Sequence, residues 1–76
     1  MHIIYIMQRN FKHNRIKELR HVIGITQGEL SINTGIQQAN ISRWEKGLNR
    51  PNIMDCWRLA DYFGVTIDYL IGRYEE

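Results

Sequence analysis

The sequence predicts an all-α domain of five short helices behind a short apolar N-terminal arm. Three observations predict it. Apolar residues recur at helical spacing in separate stretches, as in Ile16, Leu19 and Ile23, or Cys56, Leu59, Ala60 and Phe63. Helix-starting residues (Thr26, Asn52, Thr66) and helix-stopping glycines (Gly24, Gly35, Gly47, Gly64) punctuate those stretches at short intervals. The segment from Thr26 to Gly47, TQGELSINTGIQQANISRWEKG, reads as two helices joined by a tight glycine turn.

The first helix is expected from about Phe11 or Asn14 to Ile23, with Ile16, Leu19 and Ile23 on one face and Gly24 ending it. Thr26 opens the second, because its hydroxyl accepts from a free amide of the first turn, and Glu29 three residues on completes a capping box. Leu30 supplies the inward apolar residue, and Ser31 is small enough to let another helix cross closely. Gly35 provides the positive φ that the sharp turn requires. The third helix runs from about Gln37 to Lys46, with Ile41 and Trp44 on one face and Gln37, Gln38, Ala39, Asn40 and Arg43 on the other. Pro51 keeps Arg50 out of helical geometry, and Asn52 caps a fourth helix over Ile53 to Phe63. Its inner stripe is Ile53, Cys56, Leu59, Ala60 and Phe63. Thr66 caps a short fifth helix whose Ile67, Leu70 and Ile71 cover the bottom of the core. Helices this short are unstable alone, so tertiary packing holds them.

Residues 1–10 fall outside that scheme, and the expected division is an N-terminal arm at 1–10 and a helix-turn-helix domain at 11–76. The arm's HIIYIM is rich in β-branched and aromatic residues and reads locally as a strand. Three readings stay open: a ribbon paired with the same segment of a second chain, an unpaired sticky arm, or an extension before a start at Met7.

Composition narrows the class. Seventy-six residues make one small domain with one core, and a hydrophobic share of 43% is ordinary for a globular chain. The single cysteine, Cys56, permits no intrachain disulfide, which suits a reducing cytoplasm. The opening apolar run is too short for a bilayer and lacks a signal-peptide layout, so neither export nor membrane insertion is expected. Net charge is only +2, but it is unevenly spread. Residues 1–50 hold eight Lys and Arg against three acids, and residues 51–76 hold two against five. A basic half bearing the paired helices suits one polyanion-facing side.

The outward side chains of the third helix fit base edges. A glutamine or asparagine amide donates and accepts at once, matching adenine in the major groove; an arginine fork matches guanine; an alanine methyl meets a thymine methyl. Gln37, Gln38, Ala39, Asn40 and Arg43 are the candidate base contacts. Gln27, at the start of the second helix, and Lys46, Asn49 and Arg50, after the third, are the candidate phosphate contacts. Trp44, in step with Ile41, belongs to the core, whereas Trp57 falls beside the fourth helix's stripe, half exposed and suited to a subunit contact. Cys56 reads as a buried small hydrophobe. His2, His13 and His21 share no ligand spacing with each other or with Cys56, and no nucleophile–base pair, phosphate-cradling loop or carboxylate pair appears. No metal, cofactor, small-molecule ligand or enzymatic activity is expected. Gly28 is an anomaly, since glycine in a first helical turn costs about 0.5–1 kcal/mol relative to alanine.

RIKELR (15–20), GITQ (24–27), ISRWEKG (41–47), RPN (50–52) and LADYFGVTIDYLIG (59–72) together resemble the Xre-like, phage Cro/repressor type of helix-turn-helix protein. The likeness covers about residues 11–72 in order and with matching spacing. It implies a five-helix lambda-repressor-like DNA-binding domain whose third helix reads bases from Gln37, Gln38, Ala39 and Arg43. It also implies a phosphate contact by Gln27 and an ion pair between Arg20 and Glu45 that orients scaffold against reading helix. The function so implied is a cytoplasmic, sequence-specific transcriptional regulator, a repressor, binding double-stranded DNA at a palindromic operator as a homodimer. The alternatives are an antitoxin on the same fold and a protein-interaction module without DNA binding.

Overall fold

The computed structural model describes residues 14–72, so the arm at 1–10 and its strand reading lie outside the described residues. Within them are five helices: α1 (Ile16–Ile23), α2 (Gln27–Thr34), α3 (Gln38–Glu45), α4 (Ile53–Phe63) and α5 (Ile67–Leu70). None of them is long and apolar enough to cross a membrane.

α1 begins at Ile16 because Asn14 turns the chain there. Its Oδ1 accepts from the Ile16 amide at 3.0 Å, and its Nδ2 donates to the Trp44 carbonyl at 3.1 Å. The next residue ties the other end of the domain. The Arg15 amide donates to the Leu70 carbonyl at 2.7 Å, and its guanidinium lies 4.1 Å from the centre of the Tyr69 ring. The entry to α1 is thereby stitched to the exits of α3 and α5.

α2 carries the expected capping box: Thr26 Oγ1 accepts from the Glu29 amide at 3.0 Å, and Glu29 Oε1 accepts from the Thr26 amide at 2.8 Å. Gly35 closes α2 at φ 76°, a left-handed conformation that other residues rarely adopt. Ser31 contributes more than small size, since its hydroxyl donates to the Ile36 carbonyl and fastens the turn to the helix before it. α3 starts at Gln38, with Gln37 as the flanking residue, and ends in a Schellman motif. There Gly47, at φ 75°, donates to the Trp44 carbonyl and Leu48 to the Arg43 carbonyl. Asn52 and Thr66 cap α4 and α5 as expected.

The core gathers Ile16, Leu30, Ile36, Ile41, Trp44, Cys56, Leu59, Ala60 and Leu70. Phe63, Ile67 and Ile71 pack against it from partly buried positions. Two expected inner residues stand outside: Ile53 is 60% exposed and Ile23 is 48% exposed. Both sit at the last or first position of a helix, where the apolar stripe has run past its neighbours. Ile36 was not foreseen as core, because a turn residue belongs to no helical period.

Gly28 has room for a side chain: a Cβ there would stand 3.6 Å from Gln38 Oε1 and 3.8 Å from Thr26 Oγ1, both ordinary contacts. Two substitutions in this one turn are therefore expected to act in opposite directions. Thr26→Ala removes a cap and should cost about 1 kcal/mol, lowering Tm by roughly 4–8 °C. Gly28→Ala should stabilise by about 0.5–1 kcal/mol by restricting the unfolded chain. Thermal denaturation followed by circular dichroism reads both.

Candidate nucleic-acid interface

α3 has two unlike faces. Ile41 and Trp44 are buried in the core, Trp44 at 4% exposure, so the Trp44 ring is not placed to stack on a ligand. Gln37, Gln38, Ala39 and Arg43 are exposed. Asn40 differs from them: it is half-buried, and its Oδ1 accepts from Arg43 Nη2 one helical turn on. The Gly28 geometry also shows that the first turns of α2 and α3 adjoin, so Gln27 and Gln38 open neighbouring helices.

Behind α3 lies a three-helix polar knot. Arg20 of α1 donates from Nε to Glu45 Oε2 at 2.8 Å and from Nη2 to Glu45 Oε1 at 3.0 Å. Its Nη1 donates to the Ile25 carbonyl at 3.0 Å. Gln27 of α2 donates from Nε2 to the same Glu45 Oε1 at 3.0 Å. The last residue of α3 thus holds α1 and the first residue of α2 together. The Arg20 and Glu45 side chains are only 10% and 4% exposed. Every buried side-chain nitrogen and oxygen among the described residues has a partner.

Burial alone would raise the Glu45 carboxyl. The hydrogen bonds from Arg20 and Gln27, with the charges of Arg20 and Lys17, outweigh it and hold the group below the ordinary carboxylate value. The hydrogen bond to Glu45 raises Arg20 against the opposing effect of burial. Lys17, one turn before Arg20, is therefore close enough to Glu45 for its charge to count. The sequence marks Asn14 only as a possible helix start, and nothing local marks Lys17 as a neighbour of Glu45. Asn14 is foreseeable as a helix-starting asparagine, but its hold on Trp44, thirty residues away, has no local signal.

The candidate phosphate contacts flank α3. Lys46 is its C-terminal flanking residue, and Lys46, Asn49 and Arg50 are exposed on the segment that follows. Gln27 is half-buried, and one of its amide protons is committed to Glu45. A shallow groove of about 400 Å³ lies elsewhere, lined by Asn33, Thr34, Arg58, Asp61 and Tyr62, with no residue of α3.

Removing one partner of the buried pair leaves an uncompensated charge, so Arg20→Met should destabilise by about 3–5 kcal/mol and Arg20→Met/Glu45→Leu by less. Because the folded carboxyl of Glu45 is depressed, its contribution is complete above the unfolded value of 4.5 and is lost as pH falls through the lower folded value. Denaturant titrations should show acid-side stability falling in the parent and flattening in the double variant.

The chain matches a family model described as helix-turn-helix over residues 16–70. It is similar to the HTH-type transcriptional regulator ImmR of Bacillus subtilis (strain 168), at 33% identity over 61 residues. That match covers 80% of this chain and 48% of ImmR. It is also similar to the HTH-type transcriptional activator BcrR of Enterococcus faecalis, at 31% identity over 61 residues, covering 80% of this chain and 30% of BcrR. The chain spans about half the length of the first relative and under a third of the second. No solved structure matches it. The family match takes in the capping box, the glycine turn, the two-faced α3 and the polar knot behind it, and on it the chain belongs to the Xre-like helix-turn-helix family.

Proposed function

We propose that this protein is a sequence-specific DNA-binding transcriptional regulator that works as a homodimer on a palindromic operator and represses by occupying it. The observation that carries the reading is α3 itself. One face is anchored in the core by Ile41 and Trp44, and the other presents Gln37, Gln38, Ala39 and Arg43 to solvent. An α-helix fits the major groove, and these are the residue types whose donors, acceptors and methyl groups match base edges there. Gln27 on one flank and Lys46, Asn49 and Arg50 on the other are suited to phosphates, which set register without reading sequence.

A second copy is part of the proposal. Trp57, 54% exposed, shares one face of α4 with Ile53 at i−4 and Met54 at i−3, both exposed. An exposed apolar ridge of this kind marks an interaction surface. Three side chains fall short of the roughly 800 Å² per partner of a stable interface, so association is expected to be weak in solution and completed on DNA. Half-sites about 34–36 Å apart would place two copies of α3 in successive major grooves on one side of the duplex.

Selection from a pool of random duplexes tests the reading, with a two-fold symmetric consensus as the expected result and no enrichment as the contrary one. Gln38→Ala should relax preference at one position per half-site. Arg50→Ala should weaken binding to all sequences and reduce the salt slope by about one. Trp57→Glu should keep the fold, because the residue is exposed, and reduce affinity for the full palindrome to that for a half-site in shift assays. An unchanged cooperative shift would remove α4 from the dimer contact.

A further inference from the structure

Arg43 and Asn40 are joined by a hydrogen bond from Arg43 Nη2 to Asn40 Oδ1, across one turn of α3's outward side. An arginine offers only donors, so the carbonyl end of the amide is the only end able to face it. That orients the Asn40 amide toward the guanidinium. An asparagine reading adenine uses its carbonyl and its NH₂ together. With Oδ1 facing Arg43 and the residue half-buried, Asn40 is poorly set for that paired contact. The guanidinium loses little by the arrangement. It has five N–H donors in one plane, and a single commitment leaves enough to meet guanine O6 and N7.

We propose that Asn40 is a positioning residue that steadies the Arg43 fork for guanine, so that the two side chains specify one base pair between them rather than one each. This rests on the reading of α3 as the DNA-contacting helix. The physical gain is preorganisation. A free arginine loses rotamer entropy when it docks, and one already held by a neighbour loses less. The amide also keeps the guanidinium from swinging to a phosphate, where it would contribute affinity without discrimination.

The test measures competition by duplexes carrying each base at every position of a selected site, for the unsubstituted chain, Asn40→Ala, Arg43→Ala, the double variant and Asn40→Asp. Circular dichroism checks the fold of each. Arg43→Ala should cost about 5- to 150-fold of guanine discrimination at one position in each half-site. Asn40→Ala should reduce discrimination at that same position and no other, and the double variant should lose no more than Arg43→Ala alone. Asn40→Asp keeps the acceptor, so it should retain the guanine preference while lowering affinity for all sequences through its charge. A change of preference at a different base pair in Asn40→Ala, or additive losses in the double variant, would overturn the pairing and leave the DNA-binding reading intact. Absence of any sequence preference in the unsubstituted chain would overturn both.

Discussion

The carboxylate of Glu45 is the constraint on which the rest depends. It belongs to the last residue of α3, its side chain is buried, and it is shared by a guanidinium from α1 and an amide from α2. Apolar packing fixes how far apart helices lie but discriminates weakly between nearby tilts, because the hydrophobic effect is non-directional. A bidentate Arg–carboxylate pair is directional and admits one relative orientation. The knot therefore sets the angle at which α3 is presented, and Asn14 holds the same end through the Trp44 carbonyl. Such a pair adds little net stability against a well-packed apolar alternative. Its contribution is geometry.

That division of labour runs through the domain. Leu30, Ile41, Leu59 and Leu70 are fully buried and supply the driving force. Capping groups at Thr26, Asn52 and Thr66 decide where α2, α4 and α5 begin. The polar knot decides how the helices face. The exposed side chains on the outward side of α3 serve recognition on the proposed function. On the proposed function, the charge pattern follows the same plan, with the basic half of the chain bearing α3 and its flanks and the acidic half lying beyond them.

Most of the fold was legible because its signals are local. Thr26 with Glu29, Asn52 and Thr66 announce helix starts within four residues, and Gly35 and Gly47 announce the turns. Helical spacing alone puts Trp44 in the core and Trp57 outside it, as the structure has them. What escaped was non-local or sat at an end. Ile53 continues the stripe of α4 in sequence but overruns the neighbours that would bury it. The link from Asn14 to Trp44 and the third bond of Glu45, from Gln27, join residues distant in sequence, and no residue nearby signals either. The Arg20–Glu45 contact was expected from family resemblance rather than from spacing. At the candidate site, residue type makes Asn40 a candidate base contact, and its hydrogen bond to Arg43 is visible only in three dimensions.

On the proposed function, α3 meets base pairs with its outward face while Glu45 holds it from behind. Nuclear magnetic resonance of the protein titrated with its selected duplex would locate the contact. The side-chain resonances of Gln37, Gln38 and Arg43 should shift strongly while those of Trp44 and Leu59 move little. Shifts confined to the groove around Arg58, Asp61 and Tyr62, with the α3 side chains unmoved, would contradict it.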